Sequence, residues 1–102
     1  MALKLNCDMS EGFNKTDKQV MPYIDMTNLA CGFHAGDAST MKTSVKLALK
    51  HNIKIGAHPG YDDIENFGRI SVSYTKSGLK ALLLYQIGAL NAICKSYGTK
   101  VS

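Results

Sequence analysis

The 102-residue chain has 45% hydrophobic and 20% charged residues, as a globular domain does, and falls well short of the about 250 residues of a closed β/α barrel. No apolar run approaches the roughly 20 residues that span a bilayer, and the N-terminus lacks the apolar core of a signal peptide, so a cytoplasmic chain without membrane contact is expected. The net charge of +4 comes from eleven lysines and one arginine spread thinly, without clustered arginine or interleaved aromatics, which excludes nucleic acid as the expected partner.

Leu3–Cys7, apolar but for one lysine, predicts a first strand ending in the loop Asp8–Gly12. A short helix is expected near Asp17–Tyr23, disturbed by Pro22. Thr27–Gly32 predicts a second strand. Asp37 or Ser39 can cap a helix running to about His51, with Met41, Val45 and Ala48 on one face and Lys42, Lys46 and Lys50 on the solvated one. Ile53–Ala57, β-branched and stopped by His58-Pro59-Gly60, is the clearest strand. The connection Tyr61–Ser73 is long enough to be expected to carry function. Thr75–Tyr97 predicts a helix with a stripe of Leu79, Leu82, Leu83, Ile87, Leu90 and Cys94, ending at Gly98. Gly88 within it implies close packing against a neighbour, and Thr99–Ser102 reads as the start of a fourth strand. Residues 1–102 thus form a single domain of β/α units, and right-handed crossovers make its strands parallel.

Polar chemistry directly follows three of these strands. Asp8 and His34 are 26 residues apart and His34 and His58 are 24, about one β/α repeat, so a parallel array gathers them at the ligand-binding end of the sheet. Asn6 shares Asp8's side of the pleat, and Glu11 lies one turn further out. His34 sits between Gly32 and Gly36, where backbone can approach a ligand, and the helix starting after Gly36 offers its positive end to an anion. Arg69, the only arginine, can hold an anionic substrate in two-point fashion.

The two histidines and Asp8 admit two readings: ligands of a divalent metal that activates water, or a metal-free site in which the imidazoles move protons while Asp8 orients one of them. Three cysteines without Cys-x-x-Cys spacing fit a reducing compartment. Cys7, Cys31 and Cys94 are expected to be packing residues rather than nucleophiles. No phosphate-cradling glycine motif occurs.

Taken together, Leu5-Asn6-Cys7-Asp8, the block Asn28 to Asp37 (Asn-Leu-Ala-Cys-Gly-Phe-His-Ala-Gly-Asp), Ile55-Gly56-Ala57-His58-Pro59, Phe67-Gly68-Arg69 and Leu84 to Leu90 resemble the N-terminal portion of the LamB/YcsF family, which includes the A subunits of bacterial 5-oxoprolinase. The resemblance implies an α/β fold whose parallel β/α units form part of an irregular (β/α) barrel of the glycoside hydrolase/deacetylase type, about three units being present. It implies ATP-dependent hydrolytic opening of 5-oxoproline to glutamate, with ATP acting in a complex with B and C subunits. Asn6, Asp8, Glu11, His34, His58 and Arg69 fall on family motifs; Asp8, His34 and His58 are assigned to catalysis, and Asn6, Glu11, Gly36 and Arg69 to substrate binding. Ser10 and Asn14 replace glycines usual in the first motif, and Ile70 replaces a second arginine. An open β/α array exposes a strand edge and its inner face, so a homo-oligomer is expected. The rival readings are a metal-dependent amidase or deacetylase on the same barrel, and a non-catalytic assembly module.

Overall fold

Residues 3–102 are described by a computed structural model. Three parallel strands, β1 (Asn6–Met9), β2 (Met26–Ala30) and β3 (Lys54–His58), form one sheet with β2 in the centre. Helix α1 (Asn14–Val20) and a one-turn 3-10 helix (Met21–Tyr23) join β1 to β2, α2 (Ala38–Lys50) joins β2 to β3, and α3 (Lys76–Ser96) follows β3. The expected parallel β/α array is present.

Local chemistry sets the boundaries. The strand expected at Leu3–Cys7 begins only at Asn6, because the Leu5 N–H is taken by the Asp25 carboxylate at 2.7 Å instead of a ladder carbonyl. Pro22 confines the first helix by forcing the tighter 3-10 turn. Asp37 caps α2, accepting the Thr40 N–H at 2.7 Å, and that backbone donor holds its carboxyl below the ordinary carboxylate range. Thr75 caps α3 through the Gly78 N–H at 3.0 Å. The fourth strand expected at Thr99–Ser102 does not form. The Ser102 N–H makes a single backbone contact to the Ile55 carbonyl of β3 at 2.7 Å, and the Val101 N–H donates to the Asn91 side chain at 3.2 Å.

Side-chain alternation divides the sheet. Met9, Leu29 and Ile55 point to one face and are buried against Met41, Val45 and Ala48 of α2 and Leu90 and Cys94 of α3. Each such fully buried aliphatic contributes roughly 1.5–3 kcal/mol. The other face carries Asn6, Asp8, Asn28 and His58, with Asp8 opposite Asn28 and Asn28 opposite Gly56 across the ladder. No helix covers that face among the described residues. Helices on one side and polar side chains on the other are what a barrel wall presents.

Helix α3 departs from its predicted packing. Only Gln86, Leu90 and Cys94 are buried, while Leu79, Leu83 and Ile87 of the same stripe are more than a third exposed. A stripe can be buried only where a second layer exists, and α3 meets one along its C-terminal half. The close neighbour expected at Gly88 is also absent: a Cβ there would meet nothing within 4 Å among the described residues. By length and composition alone α3 is long and apolar enough to cross a membrane, which the short apolar runs did not anticipate. Its apolarity here is divided between the core and an exposed flank.

Candidate functional site

Four side chains from three strand ends meet at the C-terminal edge of the sheet. Asp8 and His58 stand on β1 and β3, Glu11 follows β1, and His34 lies in the loop between β2 and α2. His34 Nε2 lies 3.3 Å from Glu11 Oε2, and His58 Nδ1 lies 3.3 Å from Asp8 Oδ2. The two imidazoles stack, with centroids 4.6 Å apart and planes 26° from parallel. Asn28 Nδ2 donates to Asn6 Oδ1 at 2.7 Å and to Asp8 Oδ1 at 3.3 Å, so the inner-face polar residues form one chain of contacts. One donor atom each from Glu11, His34 and His58 lies within 4.8 Å of the others, a three-ligand set that could hold a metal. The carboxylate in that set is Glu11; the metal reading from sequence had used Asp8, which stands behind His58.

The backbone fixes this arrangement. Ser10 takes the left-handed conformation at φ 64, turning the chain sharply after β1 so that Glu11 faces His34. Its N–H donates to the buried Asp17 carboxylate of α1 at 3.0 Å, and burial pushes that carboxyl up despite the hydrogen bond. His34 is 3% exposed, its Nδ1 has no hydrogen-bond partner among the described residues, and two glycines press on its ring. A Cβ at Gly60 would collide with the imidazole, and one at Gly68 would lie 2.7 Å from His34 Cβ. Phe67 meets the same ring edge-on at 5.4 Å.

Two residues that sequence reasoning left unassigned hold the loops. Gln86, fully buried on α3, accepts the Gly60 N–H with Oε1 and donates from Nε2 to the Gly60 carbonyl, both at 2.9 Å. A lone amide in an apolar helix stripe was its signal, since buried polar groups seek partners. Asp63 organises the long loop: its carboxylate accepts the Asn66 N–H at 3.1 Å and the Ile70 N–H at 3.4 Å, and its carbonyl accepts the Gly68 N–H at 2.8 Å. Asn28 could have been found by strand periodicity, as it shares the face of Asp8.

Beside the histidines opens a cleft of about 340 Å³ walled by Pro59, Gly60, Tyr61, Phe67 and Gly68 on the loop side and by Leu79, Leu82 and Leu83 of α3. Arg69, next in sequence after Gly68, is exposed, with the guanidinium carbon 5.4 Å from the Phe67 ring centre, and makes no ion pair among the described residues. Gly36 is placed differently from the cluster: a Cβ there would collide with the Ser10 carbonyl, and the end of α2 beside it is already occupied by the Asp37 cap. The cysteines stay thiols, as burial raises Cys7 and Cys94 and pushes Cys31 up to about 11.

Known proteins share both the sequence and this fold. A family model described as the LamB/YcsF family matches residues 3–102. A protein of Pseudomonas fluorescens named as the A subunit of 5-oxoprolinase is 55% identical over 98% of this chain and 42% of its own length. One from Pseudomonas aeruginosa, likewise named as a 5-oxoprolinase A subunit, is 51% identical over 96% of the chain and 41% of its length. The crystal structure of a lactam utilization protein from Thermus thermophilus superposes with a TM-score of 0.91 at 37% identity, over 99% of this chain and 42% of that one. The chain therefore spans about two-fifths of the length of the relatives it matches, and it belongs to the LamB/YcsF family.

Proposed function

We propose that this chain serves in a 5-oxoprolinase A subunit, taking part in the ATP-dependent hydrolytic opening of 5-oxoproline to glutamate with B and C subunits in the cytoplasm. The observation that carries the reading is a cleft lined by His34 and His58, which contact Glu11 and Asp8, in a chain 55% identical to a protein named for that role. A lactam is a resonance-stabilised amide whose carbonyl must be activated, by phosphorylation in this reading, before water adds and the C–N bond breaks. The cleft is at the small end of the usual ligand-pocket range, which suits a five-membered ring. Its leucine wall would meet the ring methylenes, Asp8, His34 and His58 would meet the reacting atoms, and Arg69 would meet the carboxylate. ATP belongs to the assembled complex.

The decisive experiment is co-expression with B and C subunits, with glutamate formed from 5-oxoproline as the measurement. ATP-dependent turnover lost in His58→Ala supports the reading. No turnover and no 5-oxoproline binding in any assembly would leave the assembly-module reading. We also propose that the chain self-associates through the open strand edge and the uncovered inner face of its sheet. Light scattering should find a dimer or larger species, and a well-ordered monomer would refute it.

A further inference from the structure

Glu11, His34 and His58 each bring one donor atom within 4.8 Å of the other two. The Glu11–His34 contact, at 3.3 Å, is longer than the about 2.7–2.9 Å of a charge-assisted hydrogen bond. It does match the separation of two donors on one ion: legs of about 2.1 Å meeting at 90–110° place them roughly 3.0–3.4 Å apart. The stacked imidazoles, with centroids 4.6 Å apart, bring one nitrogen of each ring to the same cluster as the Glu11 carboxylate.

We propose that Glu11, His34 and His58 bind one divalent transition-metal ion of the zinc class, with Asp8 orienting His58. Two imidazoles and a carboxylate are the donor set such ions take, and three protein ligands leave a position open for water or a carbonyl oxygen. Asp8 Oδ2 beside His58 Nδ1 is the carboxylate–histidine arrangement that fixes a ligating ring. Rigidity is built in, since Gly60, Gly68 and Phe67 confine His34 and the Ser10 turn sets Glu11. The ligands come from three successive β/α units, so the site exists only in the folded chain. The inference deepens the lactam-opening reading, on which its catalytic meaning rests: a bound ion would supply a Lewis acid at the amide carbonyl.

The test uses the 102-residue chain, stripped with chelator and dialysed against Zn²⁺ or, separately, Co²⁺. One ion per chain is expected, with visible Co²⁺ bands of low coordination number and a thermal midpoint raised by the metal. Glu11→Gln and His58→Gln should each weaken binding at least hundredfold. Both residues are partly exposed, and circular dichroism verifies that the variants fold. Asp8→Asn should keep the stoichiometry and weaken affinity by about 10–100-fold, while His51→Gln, at the far end of α2, should change nothing. Absence of stoichiometric binding, or binding indifferent to both Glu11→Gln and His58→Gln, overturns the site. Ring opening by a metal-free complex removes the ion and spares the lactam reading; a metal-loaded complex that never converts 5-oxoproline does the reverse.

Discussion

Gln86→Leu should separate α3 from the Pro59-Gly60 segment that follows His58. The wild-type amide makes two hydrogen bonds to Gly60, both at 2.9 Å, and is fully buried. Leucine keeps the volume but leaves the Gly60 N–H and carbonyl without their partner. A buried unsatisfied group costs about 1–3 kcal/mol, and Gly60 is half-buried, so water recovers part of the loss; about 2–3 kcal/mol in total is expected. Because the partner lies 26 residues away, the loss also frees the Pro59-Gly60 backbone to leave the His34 ring. Urea unfolding should show a lower midpoint at unchanged slope, and the His34 and His58 ring resonances should move in the folded state. A stability change under about 0.5 kcal/mol with unmoved histidine signals would show that the clamp carries no strain between helix and loop, and would refute the reasoning.

Ser10→Gly should stabilise the chain by about 1 kcal/mol in thermal unfolding, because glycine accepts the left-handed backbone and removes a buried hydroxyl that has no partner among the described residues; destabilisation would mean that the hydroxyl is bonded. Gly60→Ala should cost about 1–3 kcal/mol by forcing the new methyl against His34, and a small domain then loses roughly 4–8 °C of melting temperature per kcal/mol; an unchanged melting temperature would contradict that contact. The Cys31 thiol, pushed up to about 11 from 9.0, should resist alkylation at pH 8 until the chain opens. Its raised value adds stability that is complete below pH 9 and lost as pH rises through 11, so Cys31→Ala should flatten the alkaline end of a stability–pH profile.

The placement of Asp8, His34 and His58 at one sheet end was legible because each ends an apolar run of strand length and the repeats between them match. Met41, Val45 and Ala48 were equally legible as a buried face, since helical period identifies them without tertiary knowledge. Which carboxylate approaches both histidines was not. That depends on the left-handed turn at Ser10, which redirects Glu11 by a backbone rotation that residue spacing does not encode. The exposed half of α3 was illegible for another reason: periodicity tells which residues are apolar, and only the assembled layers tell which of them are covered. Gly88 failed likewise, since a glycine permits close approach without requiring it.

Alternation along the three strands has a corollary for how such a chain can change over generations. Met9, Leu29 and Ile55 answer to the helices, while Asn6, Asp8, Asn28 and His58 answer to whatever enters from the other side. A strand substitution therefore strikes durability or chemistry and seldom both, so a lineage can explore new ligands at the even positions while the odd ones keep the fold intact.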